Sequence, residues 1–96
     1  MRRLCIVAYD ISDPKRLRKV FRTLKGYGQH LQLSLFRCDL TSAQRLQLSA
    51  KLRDIIDLAR DKVMFVDLGP SVGQSHNIDF LGIPGPAADF RGPKVF

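Results

Sequence analysis

Leu4-Cys5-Ile6-Val7-Ala8-Tyr9-Asp10 is an apolar run that stops on a carboxylate, and Ser12-Asp13-Pro14-Lys15-Arg16-Leu17-Arg18-Lys19-Val20-Phe21-Arg22 follows at once. The continuous apolar stretch over residues 3–9 reads as a central strand covered on both faces. Asp13-Pro14 then starts a helix, because an oxygen-bearing cap precedes a proline at the first helical position. Leu17, Val20, Phe21 and Leu24 recur at helical spacing and form one apolar stripe. Lys15, Arg18, Lys19, Arg22 and Lys25 cover the opposite side, and Gly26 and Gly28 end the helix, glycine accepting the positive φ of a C-terminal cap.

Beyond that helix, residues 29–37 alternate. Leu31, Leu33 and Leu35 point one way, and Gln32, Ser34 and Phe36 the other, as in a strand with one polar face. Thr41 caps a second helix, with Gln44 completing a capping box and Leu48, Leu52, Ile55, Ile56 and Ala59 as its buried stripe. Residues 62–68 form another strand, 70–77 a polar loop, and Ile78-Asp79-Phe80-Leu81 a short last strand. The architecture that best fits is α+β: a ferredoxin-like two-layer sandwich, two helices on one face of an antiparallel sheet. It requires the strand over 29–37 to bend into two pieces near Arg37-Cys38. One sheet face stays open, which invites a homodimer. Residues 1–82 make the domain, and 83–96 form a tail rich in Gly and Pro. Val95 and Phe96 at its end suit an edge strand on the partner protomer.

The chain has 96 residues, 45% hydrophobic, with formal net charge +7. That is one small domain with a core, and its charge points to nucleic acid or another acidic partner. No apolar stretch nears the roughly 20 residues that span a bilayer, and the N-terminus has no signal-peptide pattern, so a cytoplasmic protein is expected. Cys5 and Cys38 lie in strand-like segments without zinc-motif spacing and read as reduced, buried side chains. The chain carries no glycine-rich phosphate loop, no His/Cys metal cluster and no Ser-His-Asp pattern.

Two roles suit Asp10. It caps the turn before the first helix, or it binds magnesium, an ion that takes one or two carboxylates and keeps several waters. One aspartate per chain is thin for hydrolysis, and a symmetric dimer would add the second. Tyr9 points to the opposite face and reads as a packing residue with a bonded hydroxyl. The helix bases Lys15, Arg16, Arg18, Lys19 and Arg22 have no acid among them, where an ordinary solvated helix mixes in glutamates. That favours phosphate-backbone contacts, which fall with salt and carry no base code. Ser34 and Phe36 share a strand face that would line an interface or a substrate groove.

Taken together, Tyr9-Asp10-Ile11-Ser12-Asp13, the basic helix, Gly28, Gln32-x-Ser34-x-Phe36, Asp61-x-Val63 and Ile78-x-Phe80-Leu81-Gly82 resemble the small CRISPR-associated proteins of spacer acquisition, the Cas2 family. The resemblance spans roughly residues 4–82. It implies a ferredoxin-like homodimer and a magnesium-dependent endonuclease acting on RNA or DNA, with Asp10 as the catalytic and metal-binding carboxylate. It also implies binding to the CRISPR integrase subunit. The alternative it carries is a non-catalytic dimeric scaffold that binds duplex DNA and bridges the integrase subunits.

Overall fold

A computed structural model describes residues 1–72 and 78–82. The tail over 83–96 and most of the 70–77 loop lie outside the described residues. The elements run β1 (Arg3–Asp10), α1 (Pro14–Lys25), β2 (Gly28–Gln32), β3 (Leu35–Leu40), α2 (Ser42–Ile55) and β4 (Lys62–Pro70). The sheet order is β2-β3-β1-β4, and every neighbouring pair is antiparallel. This is the ferredoxin-like α+β sandwich expected from the sequence.

Local signals set the helices. The Asp13 side chain accepts from the Arg16 backbone N–H at 3.0 Å, with Pro14 entering α1 behind it. Thr41 and Gln44 exchange bonds of 3.1 and 2.9 Å in the capping box of α2. Val20 and Leu24 from α1 and Leu48 and Leu52 from α2 pack on Val7, Tyr9, Phe36, Cys38 and Leu40 of the sheet. Both helices therefore cover one sheet face. Ile55 and Ile56 are only partly buried, and Ala59 lies exposed beyond the helix.

Several expectations change. The strand over 29–37 does not bend near Arg37-Cys38. It is a hairpin, β2 and β3, turning at Leu33-Ser34, where Leu33 takes φ 36°. The turn resets the alternation, so Phe36 swings into the core and Leu33 is left 76% exposed. Gly26 caps α1 with φ −78°, an ordinary right-handed value, so no positive φ is needed there. Finally, Ile78–Leu81 forms no strand among the described residues, and the fourth strand of the sheet is supplied instead by the β2–β3 hairpin. Gly28 is better explained by crowding than by helix ending: it opens β2 directly opposite Cys38, and a Cβ there would run into the Arg37 carbonyl oxygen and the Cys38 Sγ.

Cys5 and Cys38 are register partners on β1 and β3, both buried and free. Burial pushes the Cys38 thiol up to about 11, as suits an inert core side chain. Among the described residues no helix is long and apolar enough to cross a membrane.

Candidate active site and nucleic-acid interface

Strand alternation sorts the end of β1. Val7 and Tyr9 enter the core, so Ala8 and Asp10 face the open side of the sheet. Asp10 is exposed. The capping role falls to Asp13 three residues on, and no hydrogen bond or ion pair engages the Asp10 side chain among the described residues. Its register partner on β4 is Lys62, also exposed. On the other flank the β2–β3 turn closes against β1, the Tyr9 N–H donating to the Ser34 carbonyl at 3.1 Å.

That turn also holds Tyr9. The Leu33 carbonyl accepts from the Tyr9 hydroxyl at 3.5 Å and lies 2.8 Å from His30 Nε2. Tyr9 is 6% exposed and burial raises its hydroxyl's pKa, so it packs and braces rather than donating protons. Phe36 is fully buried, stacked among Tyr9, Phe21 and His30. A base cannot reach it, and its place in a substrate groove is withdrawn. Ser34 is half-buried, and its carbonyl belongs to the turn.

The residue that organises the site is Asp61, which the sequence reading treated only as the opening of a strand. Its side chain is wholly enclosed. It accepts from Ser12 N–H at 3.0 Å, Ser12 Oγ at 3.1 Å, Arg16 Nε at 2.7 Å, Arg16 Nη2 at 3.2 Å and Asp57 N–H at 2.9 Å. The Arg16 guanidinium, helped by these N–H groups, holds the Asp61 carboxyl well below the usual carboxylate range. Arg16 is accordingly a brace, not a free phosphate ligand: it ties the start of α1 to Asp61, the residue before β4. Lys15, Arg18, Lys19 and Arg22 remain exposed and take part in none of the ion pairs of the described residues.

The sign of the Asp61 effect is fixed by its lowered pKa. Its stabilisation is complete above the unfolded carboxylate value of about 3.9 and is lost as pH falls through the lower folded value. Asp61→Asn is therefore expected to lower the thermal midpoint by more than about 5 °C near neutrality. The gap to the parent protein then narrows below about pH 4. Asp13 and Asp67, whose carboxyls are also held low, act alike in both proteins and cancel. Melting curves from neutral pH into acid check this; a gap independent of pH contradicts it.

A magnesium site needs oxygen donors, commonly one or two carboxylates with waters. Asp10 offers one, and no group of three or more Asp, Glu, His or Cys stands together among the described residues. A second chain's Asp10 would bring the donor set to the two carboxylates that the ion commonly takes.

The family model described as CRISPR associated protein Cas2 matches residues 1–72. This chain belongs to the Cas2 family. A Rhodospirillum rubrum protein named CRISPR-associated endoribonuclease Cas2 1 is 47% identical over 77 residues, 80% of this chain and 76% of that protein. A Thermus thermophilus CRISPR-associated endonuclease Cas2 2 is 36% identical over 94 residues, covering 98% and 97% of the two chains. Among solved structures, a hypothetical protein from Thermus thermophilus matches with TM-score 0.73 and 37% identity, covering 90% of this chain and 96% of that one. Cas2 of Streptococcus pyogenes matches with TM-score 0.70 and 33% identity, covering 82% and 99%. The Cas2 fold, with its open sheet face carrying exposed Met64, Val66 and Leu68, fits a homodimer.

Proposed function

We propose that this Cas2-family chain is a CRISPR adaptation endonuclease that hydrolyses phosphodiester bonds, with Asp10 as its catalytic, magnesium-binding carboxylate. The observation that carries the reading is an exposed carboxylate at the tip of β1, without an ion pair among the described residues, followed in the chain by a helix whose Lys15, Arg18, Lys19 and Arg22 enter no ion pair there either. Relatives named as endoribonucleases and endonucleases support the reaction class. Bound magnesium supplies Lewis-acid activation of water and neutralises charge on the phosphoryl group. The protein's part is to hold the Asp10 carboxylate in place, and the Asp61–Arg16–Ser12 bonds support this by fixing the chain two residues after Asp10.

Asp10 from each protomer of a homodimer completes the donor set. Lys15, Arg18, Lys19 and Arg22 dock the RNA or DNA backbone in the cytoplasm, and the dimer joins the CRISPR integrase subunit during spacer insertion. The test is cleavage of single-stranded RNA and duplex DNA by the purified full chain with magnesium, repeated with chelator. Cleavage of at least one substrate, abolished by chelator and restored by magnesium, supports the reading. A protein inert on both overturns it and leaves the non-catalytic scaffold in its place.

A further inference from the structure

We propose that Lys62 is a second catalytic residue of this site, its ammonium bearing on the scissile phosphate that Asp10 serves; the inference rests on the endonuclease reading above.

Asp10 and Lys62 are direct partners in the antiparallel β1–β4 ladder. Side chains so paired have Cβ atoms about 4.5–5.5 Å apart. They also share a face. On β4, Val63 and Phe65 pack against the core, so Lys62, Met64 and Val66 point to the open side, as Ala8 and Asp10 do on β1. Both are exposed, yet no ion pair joins them, and the ion pairs of the described residues are Arg3–Asp67, Arg16–Asp61 and Arg60–Asp57. Among the described residues the Lys62 ammonium is thus uncommitted beside an uncommitted carboxylate.

Chemistry gives that cation a task. In hydrolysis the water oxygen bonds to phosphorus and gives up a proton to solvent, the bridging P–O bond breaks, and the departing oxygen takes a proton from solvent. Negative charge is spread meanwhile over the non-bridging oxygens, and catalysis consists largely of positioned charge against it. The bases of α1 belong to the helical layer, whereas Asp10 faces the open side of the sheet. They suit phosphates flanking the cut, not the one at Asp10. Arg37, the other base on the open side of β1's neighbours, pairs with Ile6, four residues from Asp10 and roughly 13 Å along the strand. Lys62 is the cation in register with Asp10.

The experiment uses the full chain with Lys62→Met and Lys62→Arg on the RNA and DNA of the previous test. Steady-state cleavage with magnesium is set beside nucleic-acid affinity measured by anisotropy in chelator, where nothing is cut. A catalytic Lys62 lowers kcat by about 100-fold in Lys62→Met and leaves affinity and KM within about threefold, the signature of an interaction made in the transition state. Lys62→Arg keeps more than about a tenth of the activity, since it keeps the charge. Thermal midpoints stay with the parent, the position being exposed. Parental kcat in Lys62→Met overturns the inference, and so does a drop in affinity as large as the drop in cleavage, which makes Lys62 a docking base. If the parent protein itself fails to cleave, the endonuclease reading falls first and takes this one with it.

Discussion

Asp10→Ala lowers phosphodiester cleavage by roughly 1,000-fold and leaves the fold as stable as before. The loss is large because the substitution removes the one carboxylate that the open sheet face presents near the tip of β1 among the described residues, and with it both donors of the proposed dimeric metal site. Removing a single well-placed charge-stabilising group already costs about 100- to 1,000-fold, and the ligand of an activating ion stands at the upper end. Stability is spared because Asp10 is exposed and makes no hydrogen bond or ion pair among the described residues, and such surface changes stay within about 0.5 kcal/mol. Single-turnover cleavage and a melting curve on the same preparation check both halves. Parental cleavage by Asp10→Ala removes Asp10 from the chemistry. An unfolded variant contradicts the structural half instead. Assayed in spacer integration, the same variant separates catalysis from scaffolding, since a scaffold keeps integrating without the carboxylate.

The second large effect concerns the helix. Reversing Arg18 and Arg22 together to glutamate weakens duplex DNA binding by at least about 100-fold at moderate salt. Each base that neutralises a phosphate adds about 0.9 to the slope of log affinity on log salt, so losing two lowers that slope by about 1.8. Both side chains are exposed on α1 and outside the ion pairs of the described residues, so the fold tolerates the change. Anisotropy titrations over a salt series measure affinity and slope together. An unchanged slope shows that the phosphates are held elsewhere. Arg16 is the instructive contrast: its replacement acts on stability, through Asp61, before it acts on binding.

The parts of this molecule that are legible in the sequence are the local ones. Asp13-Pro14 and Thr41-x-x-Gln44 announce their helices because each cap is closed by bonds three residues long. The β2–β3 hairpin is not legible for an equally local reason. Its turn has neither Gly nor Asn, and Leu33 enters the left-handed region with a side chain that ordinarily avoids it. Without that turn, one long strand stands where there are two, a final strand has to be sought at 78–81, and Phe36 is assigned to the wrong face. Asp10 could be found because it ends an apolar run. Asp61 could not, since its partner Arg16 is 45 residues away and nothing near it in the chain marks it as enclosed.

Asp61 and Lys62 also bear on how β4 finds its place. The strand is apolar on both faces, with Val63 and Phe65 inside and Met64, Val66 and Leu68 outside, so hydrophobicity alone would tolerate a slip of one residue. A slip would set Asp61 against Asp10 on one face and turn Lys62 toward Arg16 on the other. Two like-charge clashes would replace a brace and a complementary pair. Asp61, just before β4, and Lys62, its first residue, thus oppose by charge a slip that hydrophobicity alone would tolerate.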